Sequence, residues 1–171
     1  MRIHIIYLLL LCMLLAACGK VKPQMPFSLR HKQEQDSAAL ALILFNQRMA
    51  LQADKDILEY VKQHDVETFA MGVTGYWFRK TLKTDKEQIS DSTDIDLRVV
   101  YYSLDGKMYT DYREPVNLKN TEIIFPVRDM LDNMKTGEQA ELIVPWYAAY
   151  GSTGTADIPP YTNLRIILES Y

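Results

Sequence analysis

Apolar and polar residues alternate with a period of two along residues 95–101 and again along residues 164–171. This period indicates strands with one buried face. In the first stretch the apolar side consists of Ile95, Leu97, Val99 and Tyr101. The Asp105-Gly106 pair after it predicts a hairpin turn. Further strands are predicted at residues 74–80, 108–112, 116–118 and 139–144.

Two other regions have the spacing of helices. Residues 34–63 predict helix, divided into two helices, with Asp54 as the N-cap of the second. Residues 38–45 are apolar on almost every side and must pack on something. They either dock on their own domain or form a dimer or partner surface. Residues 126–134 predict a short helix, with Pro126 in its first turn and Gly137 closing its C-terminal end.

Strands around one short helix predict an α+β fold with a mainly antiparallel sheet. The long loop at residues 145–161, which contains Gly151, Gly154 and the Pro159-Pro160 pair, separates the last two strands. Residues 18–171 suffice for one domain with a real core and a small additional element.

The N-terminus has the pattern of a secretory signal. A basic start is followed by an apolar run at residues 5–15, which is too short to span a bilayer. Leu15-Ala16-Ala17-Cys18 then resembles the lipobox of bacterial lipoproteins, in which the cysteine is acylated and becomes the first residue. We therefore expect residues 1–17 to be a signal peptide and Cys18 to carry acyl chains such as palmitate. Residues 18–33 would form a tether, and two or more chains would anchor it stably.

Composition excludes several classes of function. The net charge is −3 with no basic stripe, which argues against nucleic-acid binding. Cys12 lies in the predicted signal peptide and Cys18 at the lipidation site, so the mature chain has no free thiol. The histidines have no metal-binding spacing, no catalytic triad is evident, and no phosphate-binding motif appears. We expect neither a metal nor a cofactor.

The second half of the chain resembles the FKBP-type peptidyl-prolyl isomerases. Three motifs occur in the family's order. They are the segment from Met134 to Pro145 (MKTGEQAELIVP), then Ala149-Tyr150-Gly151, and Ile158-Pro159-Pro160 followed by Leu164. Together with the lipobox, the helical segment and Gly75-Tyr76-Trp77-Phe78, they are similar to the gliding-motility-associated isomerase lipoproteins of the Bacteroidetes.

The resemblance implies a half-barrel antiparallel sheet wrapped around one short helix, at residues 67–171, behind a helical segment at residues 34–66. It also implies an apolar pocket between helix and sheet. Tyr150 and the backbone N–H of Ile124 would have catalytic roles. The substrate-binding residues implied by the resemblance are Tyr101, Tyr109, Ile123, Val127, Ile158 and Ile166. Val127 replaces a frequent tryptophan and Thr110 a frequent acid, so the pocket is smaller and less aromatic.

The implied activity is isomerisation of X-Pro bonds in exported envelope proteins, at a membrane-anchored site facing the periplasm, with outer-membrane delivery favoured by Gly19. Because fold does not settle function, two alternatives remain open. One is a non-catalytic chaperone or assembly lipoprotein that uses the same fold. The other is a membrane-tethered ligand-binding lipoprotein. Proline-containing exported polypeptides are the expected partners, and a homodimer could form through the N-terminal helix.

Overall fold

The structure is a computed structural model that describes residues 27–90, 94–119 and 121–171. The predicted signal peptide, Cys18 and most of the predicted tether lie outside these residues. The chain divides into two units, Met1–Leu42 and Ile43–Tyr171. In the described part of the chain, no helix is both long and apolar enough to cross a membrane.

The N-terminal region is one helix, α1 (Phe27–Gln63), and not the two that the pattern predicted. It also begins inside the predicted tether. No glycine or proline occurs between Ser28 and Gln63, so nothing in the sequence breaks the helix. Asp54 is not an N-cap, because it lies inside this unbroken helix, and its carboxylate accepts a hydrogen bond from the Tyr147 hydroxyl at 2.6 Å. The helix is followed by Asp65, whose left-handed backbone (φ 69°) turns the chain.

The described residues form six strands, which are β1 (Ala70–Met71), β2 (Trp77–Leu82), β3 (Asp94–Ser103), β4 (Met108–Asn117), β5 (Gln139–Val144) and β6 (Leu164–Ser170). These strands make a single antiparallel sheet in the order β1-β2-β5-β6-β3-β4. The predicted α+β fold with an antiparallel sheet is confirmed. The two segments predicted around residues 108–118 form one strand, because Pro115 lies on an edge strand where a missing N–H is tolerated.

The buried face predicted for β3 is confirmed, since all four residues on its apolar side are buried. They lie in the main core with side chains of β5, β6 and the short helix α2 (Phe125–Asp132). Pro126 occupies the first turn of α2, as predicted, and Val127, Met130 and Leu131 are its buried apolar residues. This core, between helix and sheet, also supports the candidate site.

A second core lies between α1 and the sheet. Ile57 and Val61 of α1 cluster there with Phe69 and with Ile143 of β5. Because successive residues of a strand point to opposite faces, Ile143 is on the face opposite Leu142, which belongs to the main core. The sheet therefore has an inner face toward α2 and an outer face toward α1.

Gly75-Tyr76-Trp77-Phe78 leads into β2 and joins it to α2. The Tyr76 side chain is only 1% exposed, and its hydroxyl donates a hydrogen bond to Asp129 of α2. A Cβ atom at Gly72 would lie 2.2 Å from the Tyr76 ring. A glycine at position 72 is therefore needed for this close approach.

Candidate functional site

A cavity of about 400 Å³ opens where the inner face of the sheet meets the segment before α2. It is lined by Tyr101, Tyr112, Glu122, Ile123, Ile124 and Tyr150. Three tyrosine hydroxyls and two isoleucines therefore surround one half-open space, with a single carboxylate at the exposed side chain of Glu122. Such a mixture of apolar walls and a few polar groups is typical of ligand pockets.

Each wall of the cavity comes from a different element. Tyr101 is the last inner-face residue of β3, and Tyr112 lies on the neighbouring strand β4, opposite Val99. Ile123 and Ile124 precede α2, and Tyr150 follows the short 3-10 helix Trp146–Ala148. The sheet is rigid at this point because β3 pairs with β6 on its other side. Tyr101 and Tyr112 are consequently held on strands, whereas Ile123, Ile124 and Tyr150 lie in the segments that connect elements.

The three tyrosines form a cluster of aromatic rings. The Tyr101 ring lies 5.9 Å from that of Tyr150 and 6.3 Å from that of Tyr112, measured between centroids. Burial, with smaller contributions from the two neighbouring tyrosines, raises the pKa of Tyr101 well above its ordinary value. Its hydroxyl therefore stays protonated and keeps a proton to donate at neutral pH.

The backbone of Ile124 supplies a further donor. Its carbonyl accepts hydrogen bonds from the N–H groups of Val127 and Arg128, which begin α2. No described residue accepts a hydrogen bond from the N–H of Ile124. Since backbone N–H groups are rarely left without a partner, this one is available to a carbonyl oxygen in the cavity.

The structure brings together four of the predicted site residues, which are Tyr101, Ile123, Ile124 and Tyr150. Val127, Ile158 and Ile166 lie deeper, in the buried core beneath the cavity. Ile166 is directly paired with Tyr101 across β3 and β6. Tyr109 is partly buried against the same core but does not line the cavity. The roles assigned to all of these residues stay predictions.

Sequence reasoning missed Tyr112 and Glu122. A shift in the pairing between Tyr101 and Tyr102 leaves Tyr109 without a partner, so that Thr110 is opposite Tyr101. Counting in twos from Thr110 then puts Tyr112 on the inner face. The alternation along β4 could therefore have identified Tyr112. The sequence did not show the bulge, which decides which residues of β4 lie on the inner face. Glu122 gave no signal beyond its place before Ile123.

The site has uncharged polar groups at its centre and no arrangement for metal binding. Among the described residues, no three histidine, cysteine, aspartate or glutamate side chains form a group that could hold a metal ion. The arrangement can hold an apolar group against the isoleucines and direct O–H and N–H donors at a carbonyl. These are the requirements for binding a peptide bond without reacting covalently with it.

The fold is thus an α+β fold with a cavity between its sheet and the segment before α2. The family model described as FKBP-type peptidyl-prolyl cis-trans isomerase matches residues 85–169. The chain belongs to this family. Its class of activity is therefore peptidyl-prolyl cis-trans isomerisation. A search of curated protein sequences found no significant match.

Solved structures agree with this fold. A peptidyl-prolyl cis-trans isomerase from Pseudomonas syringae pv. tomato is similar with a TM-score of 0.58 and 23% identity, over 71% of this chain and 90% of that one. FkpA from Escherichia coli is similar with a TM-score of 0.60 and 20% identity, over 87% of this chain and 73% of that one. At these identities the comparisons show the shared fold.

Proposed function

We propose that this protein isomerises X-Pro bonds of exported envelope polypeptides in the cavity between β3, β4 and the start of α2. The observation that carries the proposal is that the N–H of Ile124, which has no partner among the described residues, belongs to the same cavity as Tyr150. Two donors there could hold one substrate carbonyl while the proline ring rests against apolar side chains. The family membership supports the reaction type.

The mechanism needs no nucleophile. The barrier to rotation about the peptide bond, about 18–20 kcal/mol, arises from amide resonance. An X-Pro bond therefore isomerises in tens to hundreds of seconds without a catalyst. A twisted amide has less charge separation than a planar one, so the apolar walls favour it over the ground state. Hydrogen bonds from Ile124 N–H and Tyr150 would fix the carbonyl as the bond rotates. Interactions that are stronger in the twisted state raise the rate.

The proposed location in the cell envelope depends on the N-terminus. Leu15-Ala16-Ala17-Cys18 supports cleavage before Cys18 and a lipid anchor, with the domain in the periplasm and the outer membrane as destination. The resemblance to gliding-motility isomerase lipoproteins supports a role among envelope proteins. Incorporation of labelled palmitate by the wild type but not by Cys18→Ser tests the anchor. Equal labelling, or none in either, would contradict it.

We also propose that α1 pairs with a second copy of the chain. The described residues Leu40, Ile43 and Leu44 of α1 are 57%, 52% and 48% exposed. Exposed apolar side chains this close together favour association. Light scattering should give twice the mass of one chain, and Leu44→Glu should reduce it to one. A single-chain mass for the wild type would contradict pairing.

An alternative function is a non-catalytic chaperone, and one surface favours it. A second cavity of about 330 Å³ lies on the outer side and is lined by Ile57, Leu58, Met71, Trp77 and Tyr147 among others. Val73, in the adjoining loop, is 86% exposed. These side chains could hold an apolar segment of an unfolded polypeptide. The chaperone would suppress aggregation of a client even when it accelerates no isomerisation.

Exchange NMR on X-Pro peptides separates the two functions. We expect the purified protein to accelerate cis–trans exchange and Tyr150→Phe to lower kcat/KM about tenfold, which corresponds to the loss of one good hydrogen bond. Tyr102→Phe, on the other face of β3 beneath Arg165, is the matched control and should retain the wild-type rate. An uncatalysed rate for every residue before proline, with aggregation still suppressed, would favour the chaperone.

A further inference from the structure

The loop between β5 and β6, at residues 145–163, carries Tyr150 and is attached to α1 on both sides of that residue. Trp146 and Tyr147, before Tyr150, and Tyr161, after it, each donate a hydrogen bond to α1. We propose that α1 is a positioning element, which acts through this loop to place the Tyr150 hydroxyl against the substrate carbonyl. This inference rests on the proposed isomerase function and extends it to a helix that does not line the cavity.

Before Tyr150, two adjacent aromatic side chains bond to the second half of α1. The Tyr147 hydroxyl donates to the Asp54 carboxylate at 2.6 Å, and Trp146 Nε1–H donates to the Met49 carbonyl at 3.3 Å. The Trp146 side chain is almost fully buried. The rings of Trp146 and Tyr147 also meet edge to face, with centroids 5.7 Å apart. This side of the loop is therefore fixed on the helix by two independent hydrogen bonds.

After Tyr150, the Tyr161 side chain reaches the same part of α1. Its hydroxyl donates to Asn46 Oδ1 at 2.8 Å, and its ring meets that of Phe45 edge to face with centroids 5.6 Å apart. The Tyr161 ring also lies 4.8 Å from that of Trp146. The Tyr161 backbone has a left-handed φ of 56°, which is rare for a bulky residue and persists only where the surroundings fix it. The contacts with α1 supply part of that support.

Gly151 connects both attachments to Tyr150. It follows Tyr150 directly, and its N–H donates to the Trp146 carbonyl at 2.8 Å. Its own carbonyl accepts a hydrogen bond from the Tyr161 N–H at 3.1 Å. Coupling between distant groups is carried by continuous chains of contacts, and here each link from α1 to the residue next to Tyr150 is a hydrogen bond. The two residues fixed on α1 therefore hold the backbone from which the Tyr150 ring reaches the cavity.

The position of the Tyr150 hydroxyl depends on this support. Residues 151–157 of the loop are exposed or half-buried, so core packing does not fix that part of the loop. Hydrogen bonds weaken steeply when the distance or angle leaves its preferred range. Because the bond from Tyr150 to the carbonyl is stronger in the twisted state, loosening the loop should lower kcat and leave KM nearly unchanged.

Two double variants test the proposal. Asn46→Ala/Asp54→Ala removes two of the three hydrogen bonds, and the control Gln47→Ala/Lys55→Ala changes the next residue in each case, where both side chains are exposed. We expect the first to lower kcat about fivefold and the control to keep the wild-type value. A displaced hydroxyl cannot cost more than a missing one, so the loss should stay below the tenfold expected for Tyr150→Phe. Equal kcat values for the two double variants would overturn the proposal.

Two further comparisons distinguish positioning from a general loss of stability. In a Tyr150→Phe background, Asn46→Ala/Asp54→Ala should have no further effect on kcat, because α1 acts through the Tyr150 hydroxyl. Asn46→Asp, which keeps an oxygen acceptor for Tyr161, should recover the activity that Asn46→Ala loses. A fivefold loss that persists in the Tyr150→Phe background would contradict positioning through this hydroxyl.

A spectroscopic measurement does not depend on activity. In protein labelled with ¹³C at tyrosine Cζ, the Tyr150 resonance without peptide should shift in Asn46→Ala/Asp54→Ala and stay in place in Gln47→Ala/Lys55→Ala. A Tyr150 resonance that is unmoved in both would overturn the proposal. An uncatalysed rate for the wild type would instead overturn the proposed isomerase function, whatever the resonance does. Urea unfolding of each variant verifies that the proteins are folded.

Discussion

The two faces of the sheet use polar groups in different ways. On the inner face, three tyrosines (Tyr101, Tyr112 and Tyr150) line a cavity that opens to solvent. On the outer face of β5, the Glu141 side chain is only 4% exposed and is held by Arg79 at 2.6 Å and Arg165 at 2.5 Å. The outer group is fully paired, so it can contribute to stability but not bind a ligand.

The outer face of the sheet contributes to stability, and the inner face provides the candidate binding site. A carboxylate between two guanidinium groups has all its strong partners within the protein, and it fixes β2, β5 and β6 relative to one another. The inner-face tyrosines instead line a cavity that a substrate can enter. We therefore expect changes on the outer face to affect the free energy of unfolding, and changes on the inner face to affect the reaction.

The largest effect should come from Glu141→Ala. Removing one member of a buried ion pair leaves uncompensated charge, which costs about 3–5 kcal/mol. Both Arg79 and Arg165 would lose their buried partner. Urea unfolding measures the change in the free energy of unfolding. The control is Glu87→Ala, at an exposed position in the loop after β2, whose free energy of unfolding should lie within about 0.5 kcal/mol of the wild-type value. A loss for Glu141→Ala as small as for Glu87→Ala would refute the distinction between the faces.

A smaller effect should appear as the pH falls. Although burial alone would raise it, hydrogen bonds from Arg165 and Arg79 hold the pKa of Glu141 below its usual value. Burial alone would also raise the pKa of Glu138. Hydrogen bonds from Lys80 and from the Lys135 N–H outweigh burial and lower this pKa. A lowered folded pKa stabilises the protein above the unfolded value of about 4.3 and loses that contribution as the pH falls through the folded value.

Urea unfolding between pH 7 and pH 3 measures this dependence. The wild type should lose stability below about pH 4.3, and Glu141→Gln should lose less, because it has one fewer carboxylate to protonate. Glu87→Gln should follow the wild-type curve. If Glu141→Gln showed the full wild-type dependence, Glu141 would not be one of the groups responsible.

The smallest effect should come from an exposed pair. Asp96 of β3 accepts a hydrogen bond at 2.7 Å from Arg113 of the edge strand β4, and both side chains are nearly half exposed. Exposed pairs are screened by solvent and contribute little. The unfolding midpoint of Asp96→Asn should match the wild type in low and high salt. A large destabilisation would mean that geometry, and not burial, decides the strength of these pairs.

Much of the fold was predictable because burial follows the local pattern. The bounds predicted for β5 agree with the structure, β3 extends one residue earlier and two residues later than predicted, and β6 ends one residue earlier. The division of α1 at Asp54 was wrong because the signal for an N-cap is a single polar residue. Its side chain instead bonds to Tyr147, which is 93 residues away in the sequence. Such a contact is decided by tertiary structure.

The site was predicted in part. Tyr101, Ile123, Ile124 and Tyr150 were found through resemblance, and the structure places them around one cavity. Tyr112 was missed because the bulge at Tyr109 changes which residues of β4 share the inner face. A one-residue change of register reverses the face of every following side chain. Sequence patterns alone do not reveal such bulges reliably.

The central claim is that the inner-face cavity binds the X-Pro bond, and a titration of ¹⁵N-labelled protein with an X-Pro peptide tests it most directly. The Ile124 amide resonance should move downfield and saturate as its N–H gains an acceptor. A peptide with alanine in place of proline should move it little. Saturable shifts confined to the outer cavity around Leu58, Met71 and Trp77, with the Ile124 resonance unchanged, would contradict the account.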